Sequence, residues 1–234
     1  MFPLRDNVPT RSFPFVTVAL IAANVGIWLL ELSGTPAEAD IYRYGYYPCT
    51  VDGPCLSPPI PPTVELLPAW QAAFTSMFMH GDWLHLIGNM VFLWIFGNNV
   101  EDAMGHLRFL AWYVAAGLAA TAAQTAVTLW FGGAVAASIP NVGASGAIAG
   151  VLGAYLLLYP GASVVTLFGW VLVELPALVF LGFWFLFQLW LGSFGLLEPA
   201  EGGGVAFFAH IGGFVFGMLT VFLVADRRRR PTYR

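Results

Sequence analysis

The chain alternates long apolar runs with shorter polar connections. Uncharged runs of roughly 17 to 25 residues, each long enough to cross a bilayer as a helix, occur about six times. They begin near Phe13, Leu84, Phe109, Gly143, Thr166 and Val205. The first ends by Leu32; it is too long for a signal-peptide core and lacks a convincing small-residue cleavage site. The pattern predicts an all-α, polytopic membrane protein with a bundle of six transmembrane helices.

Composition agrees with this prediction. Hydrophobic residues make up 59% of the 234 positions, charged residues only 9%, and the mean hydropathy is +0.76. A soluble globule of this size needs more polar surface. We expect a tail at 1–12, a membrane domain at 13–226 with a long outer loop at about 33–83, and a basic tail at 227–234. No basic face indicates binding to nucleic acid.

The charged residues predict an orientation. An even number of spans puts both termini on one side, and most arginines fall there: Arg5, Arg11, Arg108, Arg227, Arg228, Arg229, Arg230 and Arg234. Arg43 falls on the other side, together with Glu38, Asp40, Asp52, Glu65, Asp82, Glu198 and Glu201. Because positive charge marks the inner side, we expect cytoplasmic termini. The absence of lysine and the short tails favour a bacterial inner (plasma) membrane.

The long outer loop carries both cysteines of the chain, Cys49 and Cys55. On the outer side a short disulfide between them is the favoured interpretation, and two free thiols are the alternative. Neither cysteine has a neighbouring histidine or cysteine pair at metal-ligand spacing. We therefore expect neither a metal nor a cofactor.

Three polar residues share one predicted depth. Counted from the inner ends of their helices, Ser145 lies roughly 21 Å up, and His210 and His85 roughly 24 Å up. Small residues beside Ser145 and His210 would let their two helices approach closely: Gly146, Gly150, Ala209, Gly213 and Gly217. A serine hydroxyl becomes nucleophilic when a base takes its proton, and His210 is the candidate base.

Further polar groups surround this pair. His85 and Asn89 are four residues apart and share a helical face, so with the N–H of Ser145 they could stabilise an oxyanion. His80 precedes them and could brace the cluster or position water. Taken singly, a transmembrane serine more often bonds to its own helix, and a histidine near an interface more often serves packing or hydration. The fourth histidine, His106, is interpreted as a solvated loop residue.

A catalytic triad is not predicted, because no acidic residue lies where it could orient His210. Glu174 falls near the inner end of the fifth predicted span, far from that depth. The Gly-x-Ser-x-Gly elbow of soluble hydrolases is also missing, since residue 147 is alanine. The sequence therefore predicts a serine–histidine dyad.

The motifs together resemble those of the rhomboid intramembrane serine proteases. The matches are His80 with His85-x-x-x-Asn89, Gly97-x-x-x-Glu101-x-x-x-Gly105, Gly143-Ala-Ser-Gly146, and Ala209-His-x-Gly-Gly213-x-x-x-Gly217. The resemblance implies the six-helix bacterial form, with Ser145 as nucleophile, His210 as general base, and His85 and Asn89 in the oxyanion hole. It also implies single-span membrane proteins as substrates, cut within the lipid environment near the outer end of a helix. The fifth span, with Phe183, Trp184 and Phe187, would form a lateral gate.

One position departs from the family pattern. Four residues after the serine, members often carry an aromatic that stacks on the catalytic histidine, and here that residue is Ala149. An aromatic from the fifth or sixth span could replace it. The alternatives to a protease are a rhomboid-like protein that binds membrane clients without cutting them, and a small transporter or channel. The natural substrate and the oligomeric state stay open.

Overall fold

The computed structural model describes residues 2–33, 37–56, 64–197 and 206–226, and in these ranges it is mainly helical. The helices are α1 (Phe15–Ser33), α2 (Ala37–Tyr44), α3 (Cys49–Asp52), α4 (Ala69–Thr75), α5 (Trp83–Phe92), α6 (Asn98–Met104), α7 (His106–Val127), α8 (Gly133–Ala137), α9 (Ser145–Leu158), α10 (Ala177–Leu197) and α11 (Phe207–Val224). A 3-10 turn, Ser76–Phe78, follows α4. The π-helical segments Leu93–Gly97 and Thr128–Gly132 connect α5 to α6 and α7 to α8.

Four helical segments of the described chain are long and apolar enough to cross a membrane. They are Phe15–Ser33, His106–Ala137, Ala177–Phe194 and Phe207–Val224. The spans predicted from Leu84 and Gly143 correspond to the α5–α6 segment and to the shorter apolar helix α9, so the count of six stays a prediction. The predicted start at Val205, part of the long outer loop and the basic tail at 227–234 lie outside the described residues.

The prediction of an all-α fold is wrong in one region. Strands β1 (Phe2–Asp6), β2 (Ser163–Phe168) and β3 (Val171–Pro176) form an antiparallel sheet in the order β1-β2-β3. The helix of the fifth predicted span, α10, therefore begins at Ala177 and not near Thr166, and Glu174 belongs to a strand. Valine and threonine favour strands, and hydrophobicity alone does not separate a short apolar strand from a helix. Gly169 supplies the positive φ of +59° at the hairpin turn.

Helix α9 lies at the centre of the core, and its residues 146–156 are all buried. It packs against α11 with backbone close to backbone: a Cβ at Gly213 would collide with the carbonyl oxygen of Gly146, and one at Gly217 with that of Gly150. The absence of side chains at these crossings brings the start of α9 against the first turns of α11. This is the packing that brings Ser145 close to α11.

The outer loop is closed locally by a disulfide between Cys49 and Cys55, which confirms the predicted pairing. Cys49 is buried together with Tyr47 and Ala137 in a small apolar cluster. Leu56, just after the disulfide, donates its N–H to the Ser138 hydroxyl oxygen at 2.9 Å. The disulfide thus fixes this part of the loop against the residues that follow α8.

A buried carboxylate joins α6 to the start of α1. Glu101 is fully buried, and its oxygens accept the N–H of Val16 at 2.9 Å and both the N–H and the hydroxyl of Thr17 at 2.7 Å. A negative charge at a helix N-terminus accepts hydrogen bonds from the free N–H groups there and is attracted by the positive end of the helix dipole. His106 begins α7 and contacts Glu101 through Nδ1 at 2.5 Å. The placement of His106 in a loop was therefore wrong, because it begins a helix and its ring is paired with a buried acid, while its side chain is 38% exposed as expected.

Glu101→Gln is expected to lower the free energy of unfolding by about 2 to 3 kcal/mol. Both carboxylate oxygens accept hydrogen bonds, so the amide NH₂ would face donors in either orientation. Denaturant titration in detergent micelles measures the loss. Glu174→Gln, at an exposed position of β3, is the matched control and should stay within about 0.5 kcal/mol of wild type. Equal stability of the two variants would contradict this role of Glu101.

Candidate active site

Ser145 is the first residue of α9, at the end of a loop held from both sides. Asn141 pairs with Tyr46 in an isolated β-bridge, and Gly143 donates its N–H to the carbonyl of Ser76 at 2.8 Å. Gly143 has φ of +118°, a conformation that side chains disfavour. This glycine therefore lets the loop turn sharply and present the half-buried Ser145 hydroxyl to a cavity.

His210 lies in the first turn of α11 and meets this hydroxyl. Its Nε2 is 2.8 Å from Ser145 Oγ, although the residues are 65 positions apart in the chain. The turn itself is fixed by α7, since Gln124 Oε1 accepts the N–H of Ala209 at 3.1 Å. Gly146, next to the serine, faces Ala120 of α7, where a Cβ would come within 2.6 Å of the alanine Cβ. The three helices thus hold the two side chains within hydrogen-bond distance.

The second nitrogen of His210 also has a partner, which the sequence analysis missed. Nδ1 lies 2.9 Å from Oε1 of Gln188 on α10, and Gln188 is only 8% exposed. From the sequence, only acidic residues were expected to serve as partners of His210. A signal was present, because Gln188 is the sole amide in the apolar run of α10, and strongly polar residues in such runs usually have a function.

An aromatic ring does lie against His210, as the alanine at position 149 led us to expect. Trp184, one turn before Gln188 on α10, has its ring centroid 6.0 Å from that of His210, with the planes at 38°. Trp184 in turn stacks on Phe214 of α11 at 5.9 Å. The expectation that an aromatic of the fifth or sixth span replaces the one absent at Ala149 is confirmed, and the residue is Trp184 of the fifth span.

Helix α5 contributes His85 and Asn89 to the same cavity. Asn89 is 8% exposed, and its Nδ2 lies 3.0 Å from Nε2 of the fully buried His80. His80 Nδ1 contacts the carbonyl of Phe78 at 3.2 Å, so Nδ1 carries the hydrogen and Nε2 accepts one from Asn89. Burial lowers the pKa of His80 to about 4, which keeps its ring neutral near pH 7. His80 therefore orients the Asn89 amide.

The ring of His85 lies next to Gly143, in the loop that leads to Ser145. A Cβ at Gly143 would lie 2.7 Å from His85 Nε2 and 3.6 Å from Ser145 Oγ, so these two atoms border the same glycine. The ring of His85 contacts that of His80 edge to face, with centroids 5.0 Å apart. Its backbone N–H bonds to the N-cap Asp82 at 2.8 Å, which anchors the first turn of α5.

These groups line one cavity of about 550 Å³. Its polar lining includes Asp82, His85, Asn89, Asn141, Ser145, Gln188 and His210, and its apolar lining includes Phe92, Ile148, Leu152 and Trp184. Among the described residues, no three histidine, cysteine or acidic side chains form a group that could hold a metal ion. The cavity therefore contains a serine hydroxyl, a histidine that can act as a base, and several hydrogen-bond donors, all next to an apolar wall.

The fold and the site define a polytopic membrane protein with a serine–histidine pair between its helices. Residues 68–227 match the Rhomboid domain, and the chain belongs to the rhomboid family. With four long apolar helical segments in the part of the chain that the structure describes, it is a multi-pass membrane protein.

Several curated proteins are similar to this chain. RHOMBOID-like protein 5 of Arabidopsis thaliana is 31% identical over 98% of this chain and 72% of its own length. Rhomboid protein 1, mitochondrial, of Saccharomyces cerevisiae is 30% identical over 62% of the chain and 39% of its own length. Rhomboid protease GluP of Bacillus subtilis is 38% identical over 37% of the chain and 15% of its own length. The chain thus covers well under two thirds of the yeast and Bacillus relatives.

Proposed function

We propose that this protein is an intramembrane serine endopeptidase that uses Ser145 and His210 as a catalytic dyad. The observation that carries the proposal is the 2.8 Å contact between Ser145 Oγ and His210 Nε2 inside a cavity of about 550 Å³. A hydroxyl within hydrogen-bond distance of an imidazole is the arrangement that activates a serine. Family membership and the similarity to a rhomboid protease support the same reaction class.

The reaction would proceed in two halves. His210 Nε2 takes the Ser145 proton while Oγ attacks the scissile carbonyl carbon, and the resulting imidazolium then protonates the leaving amine. The acyl-serine ester is next attacked by water, whose proton passes to His210 and returns to Ser145 Oγ as the acid product leaves. Each half begins and ends with neutral His210, so the dyad is regenerated.

The negative oxygen formed in each half requires donors fixed in advance. Asn89 Nδ2 gives one hydrogen to His80 and keeps the other for the cavity. Gly81 N–H approaches His85 Nδ1 at 3.5 Å, which leaves Nε2–H of His85 as a donor beside Gly143. With the N–H of Ser145, these groups form the proposed oxyanion hole.

Substrate class and orientation extend this proposal. We infer that the substrates are single-span membrane proteins, cut near the outer end of their helix, and that both termini of this protein face the cytoplasm in a bacterial inner membrane. The exposed faces of Phe183 and Phe187 on α10 suit entry from lipid. Arg5 and Arg11 near the N-terminus agree with a cytoplasmic tail.

The proposal is tested by reconstituting purified protein in liposomes with a single-span reporter and a metal chelator. Mass spectrometry then reads the product ends and locates the adduct of a fluorophosphonate probe. We expect metal-independent cleavage within the reporter helix and an adduct on Ser145. A reporter that crosslinks to the protein but stays intact, with no adduct on Ser145, would instead support the client-binding alternative.

A further inference from the structure

The two ring nitrogens of His210 have different partners. Nε2 contacts Ser145 Oγ at 2.8 Å, and Nδ1 contacts Oε1 of Gln188 at 2.9 Å. A carbonyl oxygen only accepts hydrogen bonds, so Nδ1 must carry the hydrogen in this arrangement. Nε2 is then the unprotonated nitrogen, which is the form required of a base facing a serine hydroxyl.

Gln188 and Trp184 restrain the ring from the same helix. They are four residues apart on α10 and therefore share one face. The indole limits tilting of the imidazole from its side, and the amide limits rotation of the ring about its Cβ–Cγ bond. Gln188 is 8% exposed, whereas Phe187 and Leu189 beside it are at least 40% exposed, so its amide is turned inward to His210.

We propose that Gln188 is the positioning residue of the dyad, setting both the tautomer and the orientation of His210; this rests on the proposed function. In soluble serine hydrolases a carboxylate holds the same nitrogen. An ionised carboxylate is costly between apolar helices, whereas a neutral amide oxygen makes the same hydrogen bond at lower desolvation cost. When Ser145 Oγ loses its proton to Nε2, Nδ1 keeps its hydrogen, and its bond to Gln188 strengthens as the ring becomes positive.

The test is Gln188→Met, which keeps the length of the side chain and removes the acceptor. We expect kcat for the liposome reporter to fall about 10- to 100-fold, as for lost partners that orient histidine ligands of metals, with KM changed less than twofold. Gln188→Glu should recover most of kcat, because a carboxyl group offers an acceptor oxygen in either protonation state. Leu186→Met, on a 64% exposed position of the same helix, is the matched control and should behave like wild type.

A second measurement does not depend on cleavage. With ¹⁵N-labelled histidine, ring nitrogen shifts of His210 should report a single Nδ1–H tautomer in wild type and Gln188→Glu, and a mixture in Gln188→Met. An unchanged tautomer and unchanged kcat in Gln188→Met would overturn the role of Gln188 while leaving the protease proposal intact. The expected tautomer change in a protein that cuts no reporter would support the contact and count against the protease.

Discussion

Replacing Ser145 with alanine is expected to lower the cleavage rate by about 10⁴-fold or more, since the acyl intermediate cannot form without the hydroxyl. His210→Ala should cause a loss of similar size, because it removes the base that lies 2.8 Å from Ser145 Oγ. The double variant should be no slower than either single variant, as expected for residues that act as one unit. Initial rates with the liposome reporter measure all three.

The matched control is Ser193→Ala on α10. Its hydroxyl is exposed and bonds only to the Trp190 carbonyl of its own helix among the described contacts, at 2.6 Å, so the variant should retain the wild-type rate. Losses that add in the double variant, or a Ser145→Ala protein that still cuts, would contradict the dyad. Folding of each variant is checked by its thermal unfolding temperature in detergent.

Sequence reasoning was most successful where one physical constraint dominates. Helix rise and bilayer thickness predicted Ser145 and His210 at one depth, and their side chains prove to be 2.8 Å apart. The small residues beside them predicted close backbones, and the missing side chain of Gly213 is what lets the helices touch. Both the common depth and the close approach of the helices follow from the spacing of residues along a single helix.

Other features depend on packing that counting does not give. The residues of β2 and β3 were interpreted as the start of a helix, because their apolar composition suits either structure. The strand β1, which pairs with β2, comes from the other end of the chain and could not be recognised as a partner from local sequence. Gln188 was overlooked since its importance arises from its contact with His210, 22 residues away. Ala149 signalled that an aromatic was missing, but only the rotation of α10 selects Trp184 as its replacement.

The glycines between α9 and α11 offer the most direct way to disturb the dyad without touching it. Gly213→Ala would drive a Cβ into the carbonyl oxygen of Gly146 and within 3.3 Å of the Gly150 nitrogen. Backbone atoms cannot move aside alone, so α11 must shift away from α9. Overpacking of this kind costs about 1 to 3 kcal/mol of folding free energy. A displacement near 1 Å beside Ser145 should in addition lower kcat about 100-fold.

Two further variants separate position from stability. Gly217→Ala collides with the carbonyl of Gly150, farther from the serine, so it should destabilise the fold similarly but lower kcat less than Gly213→Ala does. Gly182→Ala on α10 meets no atom within 4 Å, so it should leave kcat unchanged and raise the free energy of unfolding by about 0.5 to 1 kcal/mol through helix propensity. Thermal unfolding and reporter cleavage are measured in the same detergent. If Gly213→Ala matched Gly182→Ala in both, contact between α9 and α11 would not be what holds Ser145 and His210 together.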